Sequence, residues 1–413
     1  MAKVKPFKSL RPRPEIAEKV ASPPYDVLSS KEARELVKDN PESFLHVVKP
    51  EIDLPEGTDL YSEEVYQKGA ENLKRLEGAG YLIRDEKPCF YLYRQIMGDH
   101  SQVGFVAGAS VDEYDEGLIK KHEHTRQKKE DDRTKHVDTL NANTGPVFLT
   151  YRNTVKLDEI ANKVTAQEPD VDFTSPDDVQ HTLWVVDDEE MIKEIQNAFE
   201  EIPALYVADG HHRSASASRV QKLRKEKNPN HTGDEEYNYF LTVIFPDNQM
   251  KILDYNRVIK DLNGLSEDEF IAKIKEKFEI EEIGKEQYKP QNLHEFGMYL
   301  DGKWYKLIAK EGTFDPNNPV EQLDVAILQE NLLAPVLGIG DPRKDERIDF
   351  VGGIRGLGEL EKRCEEGWKV AFSLYPTSIE QLMNIADADL IMPPKSTWFE
   401  PKLRSGMIIH TLD

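Results

Sequence analysis

Apolar residues recur at helical spacing over 62–76, where Val65, Tyr66, Gly69, Leu73 and Leu76 share one face. Gly78 and Gly80 mark the end of that helix. Ser29 and Glu32 have capping-box spacing ahead of Ala33, Leu36 and Val37, which predicts another. Segments 89–96 and 103–110 read as strands joined by a turn at Gly98-Asp99. The charged stretch 120–136 predicts a helix in its second half. The pattern then alternates: strand 146–151, helix 157–165, strand 182–186, helix 189–199, strand 204–208, and a helix from Arg213 to about Lys225. Segments 237–245 and 250–258 predict a hairpin around Asp247-Asn248. Asp301-Gly302, between Met298-Tyr299-Leu300 and Trp304-Tyr305, predicts a second. Such alternation implies a mixed α/β, or α+β, layered fold. The divisions it suggests are 1–150, 151–262 with the central strand and helix, and a C-terminal 263–413.

Composition narrows the class. The chain has 413 residues, which suits two or three domains, and 38% of them are hydrophobic, enough for real cores. No apolar run is long enough to span a membrane as a helix. The N-terminus leads into Pro6 and Phe7 without an apolar signal run. Cys89 and Cys364 form neither a metal pair nor a disulfide framework. Together these features predict a cytoplasmic protein. The formal net charge of -23 repels phosphate backbones, so nucleic-acid binding is not expected.

The chemistry concentrates at one turn. The β-prone run Ala204-Leu205-Tyr206-Val207-Ala208 stops at Asp209-Gly210-His211-His212-Arg213, and Ser214, Ala215, Ser216 and Ala217 open a helix. Gly210 permits close approach of a ligand. The first N–H groups of a helix lack internal partners and favour an anion. Arg213 offers a planar fork for phosphate. His211 and His212 can donate or accept a proton near neutrality. Asp209 could orient a histidine, hold a metal or act as a base. The bland reading, a chain turn with capping histidines, leaves two histidines and an arginine unexplained. The small residues after Arg213 leave room for a ligand, and Ser214 adds a hydroxyl.

Three other segments carry weaker signals. A basic island runs from Lys120 to Arg133; His122, Lys129 and Arg133 could form a second wall of an anion pocket, or the run is a solvated helix with internal ion pairs. His122 and His124 would share a face on a strand, but no third ligand has diagnostic spacing for zinc. Pro23-Pro24-Tyr25-Asp26 is a stiff loop that either presents Tyr25 and Asp26 or simply turns. Pro393-Pro394-Lys395-Ser396-Thr397 places a cation after a rigid turn. The loop from Gly352 to Gly358 fits neither a dinucleotide fingerprint nor a P-loop and reads first as a tight turn. Trp184, Trp304, Trp368 and Trp398 are dispersed and read as core.

The Asp209-to-Arg213 segment resembles the ParB/sulfiredoxin superfamily, and within it the free serine kinase branch, which carries a similar Asp-Gly-His-His-Arg turn. Sulfiredoxins place a reactive cysteine where this chain has His211. The whole chain resembles the uncharacterised DUF1015 family through Ser22-Pro23-Pro24-Tyr25-Asp26-Val27, His122-Glu123-x-Thr125 with Lys129 to Arg133, the Asp209-to-Arg213 segment, and Met392-Pro393-Pro394-Lys395-Ser396-Thr397. The resemblance implies a ParB/sulfiredoxin-like core elaborated by further sheet and helices. It also implies phosphoryl transfer on a small polar metabolite, serine or phosphoserine, with the kinase or phosphatase direction open. Asp209, His211, His212, Asp26 and Glu123 would serve catalysis. Gly210, Arg213, Ser214, His122, Arg133 and Lys395 would hold phosphate, with Mg²⁺ as the expected cofactor and the phosphate donor unspecified. The alternatives are a non-catalytic regulator that binds a nucleotide or phosphorylated metabolite, and a ParB-like DNA-binding protein.

Overall fold

The computed structural model describes residues 2–413 and has a mixed α/β fold in two units. The first comprises 1–250 with 401–413, the second 251–400. The divisions suggested by the sequence fall elsewhere. Residue 150 lies inside the strand Val147–Tyr151, and 262 lies past the strand Tyr255–Ile259 of the second unit. Local pattern marks strands, but not the partners that decide a unit.

Among the described residues, the first unit is built on a nine-stranded mixed sheet. Its order is Ile119–Lys120, Leu205–Asp209, Val147–Tyr151, Tyr239–Pro246, His100–Ser110, Phe90–Met97, Val179–Val186 and Val171–Thr174, with Val4–Lys5 added against His100–Ser110. The 89–96 and 103–110 pair is the antiparallel hairpin that alternation foresaw. Near the sheet's end, Leu205–Asp209 runs parallel to Ile119–Lys120 and antiparallel to Val147–Tyr151. The core gathers Phe105 and Tyr151 of the sheet with Ile160 of the helix Val155–Thr165 and Ile195 and Phe199 of the helix Glu189–Glu200. A smaller antiparallel sheet joins Leu82–Arg84, Ser9–Pro12, Ile409–Thr411 and Ala142–Asn143, so the C-terminal strand closes onto the N-terminal one. The helix Gln127–Leu140 lies between Glu63–Gly78 and His211–Lys227.

The second unit holds a six-stranded antiparallel sheet in the order Phe278–Gly284, Lys303–Ala309, Glu295–Leu300, Val370–Leu374, Tyr255–Ile259 and Ile348–Gly352. The hairpin at Asp301-Gly302 forms as expected. Both residues have positive φ, 49° and 73°, as the tight two-residue turn requires. The hairpin expected around Asp247-Asn248 does not form. Asp247–Gln249 is a short 3-10 turn, and Tyr255–Ile259 pairs with Ile348–Gly352 and Val370–Leu374 instead. Alternation identified two strands correctly, but contacts far along the chain chose their partners. Gly352 and Gly353 serve close packing, since a Cβ would meet the Trp398 ring at 2.7 Å and Asp254 at 2.4 Å respectively. Arg355 is exposed.

Gly297 is the tightest point of this sheet. A Cβ there would lie 2.3 Å from Ser373 Oγ and 2.6 Å from the Tyr288 carbonyl oxygen. The hydroxyl can rotate, but the backbone oxygen cannot without moving the strand. Gly297→Ala should therefore destabilise the second unit by about 1–3 kcal/mol, the usual cost of overpacking. Urea denaturation of the variant checks this, and an unchanged midpoint would contradict it.

Candidate active site

The strand Leu205–Asp209 is apolar because it lies inside the sheet; Leu205, Tyr206, Val207 and Ala208 are all buried. Its pairing with Val147–Tyr151 shifts register between Val207 and Asp209. Such bulges re-aim a side chain at a strand end. Gly210 follows with φ 102°, a left-handed cap conformation that a Cβ would strain. The helix then begins at His211, earlier than the sequence pattern suggested. His211, His212 and Arg213 thus occupy its first turn. Of the small residues behind them, Ser216 borders the cavity that Arg213 lines. Ser214, Ser216, Ala217 and Ser218 are buried on a helix packed against its neighbours.

Asp209 is the electrostatic centre. Lys402 Nζ sits 3.1 Å from its Oδ2, and Arg213 lies 3.8 Å from its Oδ1. Burial alone would raise the pKa of this carboxyl. The charges of Lys402 and Arg213, with the Lys402 hydrogen bond, outweigh burial and hold it well below the usual range. Arg213 also donates to the Pro146 carbonyl. Together with Arg133, Tyr25, Gly145 and Ser405 it lines a cavity of about 30 Å³. The Arg133 guanidinium stacks 4.0 Å over the Tyr25 ring and pairs with Asp132 at 2.8 Å. Asp132 accepts in turn from the Tyr66 hydroxyl at 3.0 Å. Burial, aided by the Asp26 charge, pushes the Tyr25 phenol up to about 12.

Beside this lies a second cluster. His122 and His211 meet edge to face, ring centroids 4.4 Å apart and planes at 90°. Glu123 Oε2 lies 4.0 Å from His211 Nδ1. One ligand atom from each of His122, Glu123 and His211 can be chosen so that all lie within 4.8 Å of one another. Burial lowers the pKa of His122 to about 4, and burial with the neighbouring His122 takes His211 well below its ordinary value. Both imidazoles are therefore neutral near pH 7. A neutral imidazole accepts a proton or binds a cation; it is not poised to donate to a leaving group.

Residues 4–326 match the family model described as "Protein of unknown function (DUF1015)". The chain belongs to the DUF1015 family. No curated protein matches it. Three solved structures share looser likenesses with this DUF1015 chain. Free serine kinase in complex with AMP is 15% identical, over 71% of this chain and 86% of the other, with a TM-score of 0.34. A conserved hypothetical protein from Pyrococcus furiosus is 16% identical over 71% and 90%, with a TM-score of 0.34. SbnI with a C-terminal truncation, from Staphylococcus aureus, is 10% identical over 73% and 85%, with a TM-score of 0.39.

The remaining sequence candidates of this DUF1015 protein fall in several places. His212 is half-buried, and its Nε2 accepts from the Arg126 backbone N–H at 3.1 Å. Asp26 is exposed in the turn after Pro24, next to the Tyr25 that Arg133 covers. Ser214 has no exposed surface, and its hydroxyl donates to the Gly210 carbonyl at 3.3 Å; it closes the helix's first turn and offers a ligand no side-chain atom. His124 is exposed while His122 is buried, because 121–126 is a loop and the strand alternation does not apply. Lys395 belongs to the second unit, where it has φ 60° and its Nζ lies 5.5 Å over the Tyr255 ring. Lys402 was missed. It lies 193 residues from Asp209, and only its nearness to the Met392-to-Thr397 motif hinted at it. No helix among the described residues is long and apolar enough to cross a membrane.

Proposed function

We propose that this chain transfers a phosphoryl group between a donor such as a nucleotide and the hydroxyl of a small polar metabolite, serine being the first candidate. The observation that carries this reading is the juxtaposition at one strand end of an ionised carboxylate, Asp209, with Lys402 and Arg213 beside it, and a second guanidinium, Arg133, on the same cavity as Arg213. Phosphoryl transfer demands little covalent work from a protein; it needs positioning and positive charge around the equatorial oxygens. Arg213, Arg133 and the free N–H groups of the first helical turn supply that charge. The hydroxyl oxygen attacks phosphorus, the bond from phosphorus to the donor oxygen breaks, and the hydroxyl proton passes to Asp209. A strongly ionised carboxylate suits this role if the proton leaves only as the new bond forms. Asp26 is the second candidate acceptor. The Asp-Gly-His-His-Arg likeness to free serine kinases supports serine, and Mg²⁺ would accompany the donor.

Purified protein with Mg²⁺ and serine should form phosphoserine from ATP, ADP or pyrophosphate, or release phosphate from phosphoserine, as followed by phosphorus NMR. No turnover with any of these sinks the serine version. Nucleotide-induced thermal stabilisation without turnover would instead favour a regulator that retains the pocket. Salt-sensitive duplex binding would favour the DNA reading.

A further inference from the structure

We propose that His122, Glu123 and His211 form a binding site for a first-row transition-metal ion. The sheet brings these residues together. Ile119–Lys120 and Leu205–Asp209 are adjacent parallel strands, with Ile119 opposite Leu205 and Lys120 opposite Tyr206. The loop after the first strand carries His122 and Glu123, and the helix after the second begins with His211. Both groups therefore emerge at the same carboxyl edge, where parallel strands place ligands.

An observation independent of this placement points to an ion. His122 Nδ1 and His211 Nε2 are both buried and have no hydrogen-bond partner. The two residues are only 2% and 5% exposed. A buried polar atom left unsatisfied costs about 1–3 kcal/mol, and two orphaned ring nitrogens in contacting histidines are an unusual coincidence.

The donor set selects the ion. Two imidazoles and a carboxylate suit Zn²⁺, Mn²⁺, Co²⁺ or Fe²⁺, whereas Mg²⁺ and Ca²⁺ prefer oxygen. Ligand atoms up to 4.8 Å apart need a modest contraction to reach bonding distance. Glu123, whose side chain is 42% exposed, is the one best placed to move. Three protein ligands leave positions open for water or a phosphate oxygen. A role for the ion in catalysis rests on the phosphoryl-transfer reading; its binding does not.

The test is metal binding by the full chain. After chelator treatment and dialysis, Co²⁺ titration should produce visible d–d absorption saturating near one equivalent. Zn²⁺ should displace Co²⁺, and a large excess of Mg²⁺ should not. Glu123→Gln, at a half-exposed position that tolerates the change, should weaken Co²⁺ binding about 10- to 100-fold. His122→Ala with His211→Ala should abolish it, with circular dichroism confirming the fold. His124→Ala, exposed on the same loop, should bind as wild type. No binding at micromolar Co²⁺, an undiminished Glu123→Gln, or equal competition by Mg²⁺ would each overturn the site. The readout involves no turnover, so a failed serine assay leaves it standing.

Discussion

Arg213→Ala should lower phosphoryl transfer by about two to three orders of magnitude in kcat/KM, the usual loss when one preorganised charge donor is removed from a developing anion. Arg213 does two jobs at once. It lies 3.8 Å from Asp209 Oδ1, and it donates to the Pro146 carbonyl, which fixes the plane of its fork. Arg213→Lys should therefore rescue little. An ammonium restores the charge but not the bidentate geometry, and it cannot meet both Pro146 and a phosphate oxygen in one plane. Donor binding read by calorimetry should weaken in both variants. Lys402 still faces Asp209 at 3.1 Å, so the carboxylate stays paired and the fold should survive. If either variant retains activity within tenfold of wild type, Arg213 is not the phosphate clamp and the reading of the site fails.

Much of this site was legible because its parts are contiguous. Asp209, Gly210 and His211 follow a β-prone run, and strand, glycine and helix must meet there whatever the rest of the chain does. The φ of 102° at Gly210 is the physical content of that signal. The turn at Asp301-Gly302 was readable for the same reason. Features that depend on distant partners were not. Nothing near residue 402 announces that its ammonium meets a carboxylate 193 residues earlier. The strands around Asp247-Asn248 were correctly seen as strands and wrongly paired, since alternation fixes which face is buried and says nothing of the neighbour. His122 and His124 looked equivalent by spacing; a loop separates them into one buried and one exposed ring. Of the small residues after Arg213, Ser216 borders the cavity and Ser214 and Ala217 pack within the fold; sequence alone cannot tell a gap from a close contact when both call for the same side chains.

Acid should destabilise the first unit well before its ordinary carboxylates titrate. His136 and His181 are both fully buried, and burial lowers each to about 3, with Arg133 facing the first and Arg404 the second. His136 Nε2 meets the Val47 carbonyl at 3.1 Å. His181 Nδ1 lies 2.6 Å from the Tyr93 hydroxyl, and its Nε2 lies 3.3 Å from Arg404 Nε; burial and the facing arginines outweigh the charges of Asp132 near His136 and Asp177 near His181. In the unfolded chain both histidines revert to about 6.5. The sign follows directly. Above pH 6.5 neither state binds these protons, and the full stability is present. Between about 6.5 and 3 the unfolded chain takes up to two protons that the folded chain refuses. Unfolding then becomes more favourable as pH falls, by about 1.4 kcal/mol per unit for each histidine and ~2.7 for the pair. By pH 4.5 the loss approaches 5 kcal/mol, a large share of the 5–15 kcal/mol typical of a domain. Urea denaturation at pH 7.5, 6.5, 5.5 and 4.5 should show the midpoint of the first unit falling steeply below 6.5. His181→Asn should start less stable and show a slope shallower by about 1.4 kcal/mol per pH unit, with His122 and His211, also lowered by burial, keeping part of the remainder. A midpoint flat from pH 7.5 to 4.5 would mean that these rings are protonated in the folded protein, the Asp132 and Asp177 charges prevailing over burial and the arginines.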